Sequence, residues 1–269
     1  VVPMTDLENP FPGARIFFLP ETESTMRDAR DLASRGLPTG TLVAAGRQTA
    51  GRGRFPHRTW EDAPGKSLLF TVFFRLRDLS SPPDPVPLRA GLALAETLES
   101  FLGLEPRIKW PNDVLLGGRK VSGILAELRD GCVFLGMGVN CGQEEFPEPL
   151  REKAVSLRQA AGREVAPREL LPPLLRELLS FRDGKGDWRE GVEARLFLRG
   201  ESIRFLPGLP GSEPVEGRLE GIGEDGSLLL RPSGAAEPRS FAAGEILLGG
   251  DSTRRGRSRA VFPPEERKF

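Results

Sequence analysis

The stretch from Arg107 to Val139 constrains the fold more than any other part of this 269-residue chain. Within it, Arg107–Trp110, Asp113–Leu116, Arg119–Leu128 and Cys132–Val139 are strand-like and separated only by short turns, mostly glycine-bearing, so four strands follow one another. Further strands are expected at Arg15–Leu19, Thr41–Ala45 and Ser67–Phe74. Helical periodicity runs from Thr25 to Arg35, with Ser24 or Thr25 as N-cap and Gly36 as the stop. It returns at Leu88–Leu102, where Leu88, Leu92, Ala95, Leu98 and Leu102 share a face. Arg168–Phe181 carries Leu171, Leu174, Leu175 and Leu178 on one face, and Asp187–Leu198 reads as a further helix. Sheet and helices together predict an α+β fold.

The pattern changes after Gly200. Segments 201–206, 214–222, 227–231 and 237–241 are short, strand-like and punctuated by Gly, Pro, Asp and Ser, which predicts a small β-barrel or meander. The chain therefore divides into a catalytic-sized unit at 1–198, a small β unit at 199–250 and a basic tail at 251–269. The tail lacks apolar periodicity and is expected to be poorly ordered, with Arg254–Arg259 as a solvated run.

Composition narrows the function classes. Hydrophobic residues make up 38%, enough for a core, and 38 Lys plus Arg balance 38 Asp plus Glu, so a broad nucleic-acid surface is not indicated. Cys132 and Cys141 make neither a disulfide framework nor a zinc-ligand spacing, and they fit a reducing compartment. No apolar run is long enough to span a membrane, and the N-terminus lacks the regions of a signal peptide. A soluble, cytoplasmic protein is expected.

Three segments carry chemistry. The first is Gln48 followed by Gly51-Arg52-Gly53-Arg54-Phe55-Pro56-His57-Arg58-Thr59-Trp60, inside an aperiodic loop that runs to about Gly65. Glycine lets backbone approach a ligand, the arginines suit carboxylate and phosphate, and Trp60 offers a flat face to a base. By itself such a loop could equally be a solvated Arg/Gly turn or an RNA contact. The second is Lys109-Trp110-Pro111-Asn112-Asp113, where a lysine at a strand end could neutralise charge at phosphorus, and Asn112 and Asp113 could orient it or help hold magnesium. A plain Pro-Asn-Asp turn is the alternative. The third is Lys120-Val121-Ser122-Gly123-Ile124-Leu125-Ala126-Glu127 with Gly136-Met137-Gly138-Val139-Asn140, buried strands that something approaches closely at their glycines, or simply tight sheet packing. His57, the single histidine, has no partner in sequence that would make it a general base.

In this order the segments resemble the biotin protein ligase family, whose signatures are Ser-Thr-Asn at the first helix, Gln ahead of GRGRxGRxW, KWPND, K-x-x-G-I-L-x-E and G-x-G-x-N. The resemblance spans about residues 15–250. It implies a class II synthetase-like catalytic domain with a mixed, largely antiparallel central sheet flanked by helices, and a small SH3-like β-barrel at the C-terminus. It implies ATP and Mg2+ as cofactors, biotin as substrate and biotinyl-5′-AMP as intermediate. The acceptor is a lysine of a biotin carboxyl carrier protein, commonly an acetyl-CoA carboxylase subunit, and the resemblance allows a homodimer.

Matched motif by motif, Ser24, Thr25, Met26, Gln48, Arg52, Gly53, Arg54, Lys109 and Gly123 would bind biotin. Arg52, Arg58, Trp60, Lys109, Asn112 and Asn140 would contact the nucleotide. Lys109 and Arg54 would be catalytic, and no protein metal cluster is expected. Two departures stand out: Met26 replaces the family's Asn, and Pro56-His57 replaces a single Gly, lengthening the loop by one residue. About fourteen residues precede the first strand, so no DNA-binding helix-turn-helix and no DNA partner are expected. A lipoate or octanoate ligase or transferase of the same fold is the nearest rival. A non-catalytic RNA-binding module is the rival from another class.

Overall fold

The computed structural model describes residues 2–3, 6–55, 59–60, 63–80, 85–180, 187–209 and 211–248. The expected α+β architecture is present. An eight-stranded mixed sheet is formed by β1 (Val2–Pro3), β2 (Ile16–Leu19), β3 (Leu42–Ala45), β4 (Ser67–Arg75), β5 (Pro106–Lys109), β6 (Asp113–Leu116), β7 (Arg119–Arg129) and β8 (Cys132–Asn140), in the order β1-β2-β3-β4-β8-β7-β6-β5. The single parallel pair among these is β2 with β3, whose connection contains helix α1 (Thr25–Ser34). Antiparallel neighbours need only a tight turn, whereas parallel ones need a crossover, and β5 to β8 accordingly form a meander joined by short turns.

The sheet is covered on both sides. Helix α1 sits on one face, where Met26, Ala29, Leu32 and Ala33 pack with Phe73, Cys132 and Phe134. Helices α2 (Val86–Leu102) and α5 (Pro167–Glu177) cover the other, against Phe70, Val72, Phe74, Ile124, Leu135 and Val139. Helix α2 ends where Gly103 adopts the left-handed conformation and donates its N–H to Glu99 O, as a glycine C-cap should. Two short helices that periodicity did not suggest, α3 (Glu148–Arg151) and α4 (Leu157–Ala161), follow β8. Four or five residues are too few to show a 3.6-residue repeat, although Ser156 and Gln159 make a capping box that marks α4. The helix expected to Phe181 is continuous to Glu177 and resumes at residues 179–180 after a turn at Leu178, and Phe181 lies outside the described residues. Helix α6 (Trp188–Arg195) starts at Asp187, whose carboxylate accepts from the Arg189 and Glu190 amides.

The second sheet is antiparallel and five-stranded, from β9 (Ser202–Pro207), β10 (Val215–Ile222), β11 (Leu228–Pro232), β12 (Arg239–Phe241) and β13 (Gly244–Leu247), in the order β12-β11-β10-β9-β13. It is an open meander among the described residues, since no pairing joins β12 to β13. Strand β13, not among the expected strands, returns to pair with β9. A shared core ties the two sheets: Leu88, Leu92, Ile108 and Trp110 pack with Val192, Phe205, Leu219, Leu228 and Ile246. The indole N–H of Trp110 donates to Gly226 O at 2.9 Å across this junction. The tail at 251–269 lies outside the described residues.

Candidate active site

A cavity of about 320 Å3 opens where the start of α1, the arginine-rich loop, the β5–β6 turn and the middle of β7 and β8 converge. It gathers Ser24, Thr25, Met26, Gln48, Arg52, Gly53, Arg54, Trp60, Lys109, Asn112 and Gly123. Residues spread over a hundred positions of sequence meet because β4, β8 and β7 are adjacent in the sheet and α1 lies across them.

One end of the cavity is a neutral hydrogen-bonding cluster. Gln48 Oε1 accepts from Thr25 N at 2.8 Å and from Thr25 Oγ1 at 3.0 Å, and the Thr25 and Thr71 hydroxyls lie 2.9 Å apart. The chain before the loop is zipped beside the start of α1 by Thr49 N to Thr22 O and Ala50 N to Glu23 O. Ser24 is the helix N-cap by backbone geometry, but its hydroxyl makes no capping hydrogen bond. Its side chain lines the cavity instead.

The flanks of the loop pair with each other. Trp60 N donates to Gly51 O at 3.1 Å, and Arg52 forms an antiparallel bridge with Thr59. This folds the Trp60 indole down onto the sheet. A Cβ on Gly138 would lie 2.6 Å from Trp60 Cε2, and one on Gly123 would lie 3.1 Å from Trp60 Cζ3. A Cβ on Gly136 would lie 3.1 Å from Met26 Cε. The close approach expected at these glycines is therefore made by the protein's own Trp60 and Met26.

Elsewhere the lining is charged, with both signs present. Lys109 projects from the end of β5, and Lys120 Nζ lies 2.7 Å from Asp113 Oδ1 and 5.8 Å from the centre of the Trp60 ring. Arg52 and Arg54 come from the loop. The Arg54 guanidinium stacks 4.5 Å from the Phe55 ring and donates to Gly244 O at 2.9 Å, so the second sheet reaches the cavity, and Glu245 beside it lines the wall. Arg30 and Glu127 form an ion pair on the α1 side. Four cations around one space can hold two anions together against their repulsion, which costs several kcal/mol in a low dielectric if unscreened.

One expected residue among those described stands apart from this set. Asn140 is buried beside β7 rather than in the cavity lining, and its Nδ2 donates to Val155 O at 3.2 Å and Lys120 O at 3.4 Å. A side chain at a strand end can turn either to the cavity or to the neighbouring backbone, and here the Val155 and Lys120 carbonyls claim it. Arg58 lies outside the described residues, as do Pro56 and His57. Asn112 lines the cavity while its Nδ2 donates to Ile124 O at 2.8 Å. Sequence reasoning passed over Thr71, Arg30 and Glu245. Thr71 sits mid-strand in an apolar run, and only its register opposite Gly136 discloses it.

The family model for the Biotin/lipoate A/B protein ligase family matches residues 18–143. Biotin–[acetyl-CoA-carboxylase] ligase of Paracoccus denitrificans is 34% identical over 86% of this chain and all of its own length. The ligase of the same title from Mycobacterium tuberculosis is 32% identical over 80% of this chain and 82% of its own. Bifunctional ligase/repressor BirA of Bacillus spizizenii is 36% identical over 57% of this chain, and the match spans about half, 49%, of that relative. Among solved structures, biotin protein ligase from Aquifex aeolicus in complex with biotin and ATP superposes with a TM-score of 0.72 at 29% identity, covering 86% of this chain and 97% of the other. With relatives of 34% and 32% identity matched over all and 82% of their own length, the chain belongs to the biotin protein ligase family.

Proposed function

We propose that this enzyme uses ATP to activate biotin as biotinyl-5′-AMP and transfers the biotinyl group to a lysine of a biotin carboxyl carrier protein. The observation that carries the reading is one cavity that brings a neutral hydrogen-bonding cluster, Thr25 with Gln48, together with Lys109, Lys120, Arg52 and Arg54. Biotin has the matching parts, a neutral ureido ring and a carboxylate tail.

In this reading Ser24, Thr25, Gln48 and Thr71 receive the ring, with Met26 and Gly123 beside it. Arg52, Gly53 and Arg54 hold the carboxylate and the α-phosphate. Arg58, Trp60 and Asn112 serve the nucleotide, and Asn140 supports that region from behind Lys120. A carboxylate oxygen attacks the α-phosphorus and pyrophosphate leaves. The acceptor amine, once deprotonated, then attacks the acyl carbon and AMP leaves. Lys109 neutralises the charge that grows on the α-phosphate in the first step. Positioning and positive charge suffice, because the nucleophile is already ionised.

Magnesium would be held chiefly by phosphate oxygens and water, with Asp113 and Asn112 as the nearby protein oxygens. The chain's division into units at 1–198 and 199–250 is likewise part of the proposal, as are a cytoplasmic location and an acetyl-CoA carboxylase carrier.

The test is ATP–pyrophosphate exchange with biotin or lipoate as the acid. Biotin should support exchange and lipoate should not. Lys109→Ala should slow biotin-dependent exchange at least ~100-fold, about 3 kcal/mol of transition-state stabilisation. Exchange in that variant close to the native rate would remove Lys109 from the mechanism.

A further inference from the structure

The two glycines at the centre of the sheet face each other. Gly123 of β7 and Gly138 of β8 are register partners, so the ladder has a patch two residues wide with no side chain on it. A glycine in a strand interior costs roughly 0.5–1 kcal/mol relative to Ala and packs nothing. Two paired glycines in central strands therefore need a reason in the tertiary structure. At Gly138 the reason is the Trp60 indole alone: a Cβ there would lie 2.6 Å from Cε2, 2.8 Å from Cζ2 and 3.0 Å from Cδ2, whereas one on Gly123 would meet Lys120 Nζ at 2.9 Å and Cε at 3.0 Å as well as Trp60 Cζ3 at 3.1 Å.

Trp60 Nε1 is buried and has no hydrogen-bond partner among the described residues, so shape rather than a hydrogen bond sets the ring's position. Lys120 Nζ stands 5.8 Å from the ring centre, within the range of a cation–π contact. The same lysine reaches Asp113 at 2.7 Å. At the other end, Trp60 N to Gly51 O ties the ring to the start of the arginine-rich loop, where a Cβ on Gly51 would again meet Trp60 Cβ at 3.3 Å. The indole is thus the rivet between the loop that carries Arg52 and Arg54 and the strand that carries Lys120.

We propose that Gly138, with Gly123 opposite it, is a positioning residue that acts through Trp60: the bare patch is a shelf shaped to seat the indole, and seating it sets the loop's register over the cavity. The proposal deepens the ligase reading and rests on it. A methyl group on Gly138 cannot be absorbed by a flexible chain end, because what it meets is a rigid bicyclic ring, so the ring must lift and take the loop flank with it.

The experiment is a double-mutant cycle between Gly138→Ala and Trp60→Phe in the full-length chain, read by biotin-dependent pyrophosphate exchange and by acrylamide quenching. In the native background Gly138→Ala should raise the KM for ATP roughly tenfold, and in the Trp60→Phe background, where a single ring leaves room, it should add less than about twofold. Quenching of the Trp60 emission, isolated by subtracting the Trp60→Phe signal, should increase in Gly138→Ala. The same KM penalty in both backgrounds would mean that the glycine acts on the ligand or the sheet directly, and would overturn the proposal. Unchanged quenching would overturn it too. If Gly138→Ala does not fold, folding regained on adding Trp60→Phe supports the shelf, and a double variant that still fails to fold overturns it. Absence of exchange in the native chain would end the ligase reading while leaving the quenching result to decide the shelf.

Discussion

Single residues at this site do jobs that their types alone leave open. Thr25 begins a helix, yet its hydroxyl joins Gln48 to Thr71 rather than capping. The GRGR loop, Lys109 and Asn112 were legible because charge and glycine in a fixed order are rare by chance, and the cavity contains them. Asn140 was not legible in its details, since only the 153–155 segment, distant in sequence, shows why its amide turns towards backbone. Cys141 illustrates the same point for chemistry. Burial pushes its thiol from the ordinary 9.0 up to about 12, only partly offset by a backbone hydrogen bond at Leu68. The unfolded thiol ionises near pH 9 while the folded one stays protonated, so this residue's contribution is intact below pH 9 and declines as pH rises towards 12. Denaturation midpoints followed upward from pH 9 should fall less steeply in Cys141→Ala than in the native chain, and a disulfide-exchange reagent should modify Cys141 only after unfolding. Rapid labelling of native Cys141 at neutral pH would contradict its burial.

Among the elements, α1 matters most to the site, because its first turn presents Ser24, Thr25 and Met26. Its period was plain in the sequence, and so was its stop at Gly36. Its anchor was not. Arg75, at the end of β4, donates Nη2 to Ala33 O at 2.8 Å and Leu37 O at 3.0 Å, holding the helix C-terminus to the sheet. A cation there also complements the helix dipole. Arg75→Ala should lower unfolding stability by about 1.5–3 kcal/mol, the range for hydrogen bonds from a charged donor, as measured by urea denaturation. It should also weaken biotin binding, since the helix start moves with its end. A loss below a few tenths of a kcal/mol would show that packing against Phe73 and Phe134 holds α1 unaided. The glycine strands were legible as strands, but the side chains seated on them were not, because Trp60 lies 63 residues before Gly123.

At the scale of the molecule, the two sheets are one folding problem rather than two. Trp110 of the KWPND segment is buried against Phe205 of β9, ring centres 5.9 Å apart, and bonded to Gly226 O. The motif that carries Lys109 into the cavity is thus anchored by the second sheet. Phe205→Ala should cost about 3–5 kcal/mol, and its far-UV circular dichroism and Trp fluorescence transitions should stay coincident. Two separated transitions would mean that the second sheet unfolds independently and that the shared core contributes little. By itself, the sequence determined the strands and long helices, whose periods are local, and the family, whose motifs are short and ordered. Only the tertiary structure decided that Arg54 would reach Gly244, that Trp60 would occupy the glycine patch and that Thr71 would join Thr25 and Gln48. Those pairings depend on register and on strand order, and a backbone ladder brings together residues whose separation along the chain carries no trace of it.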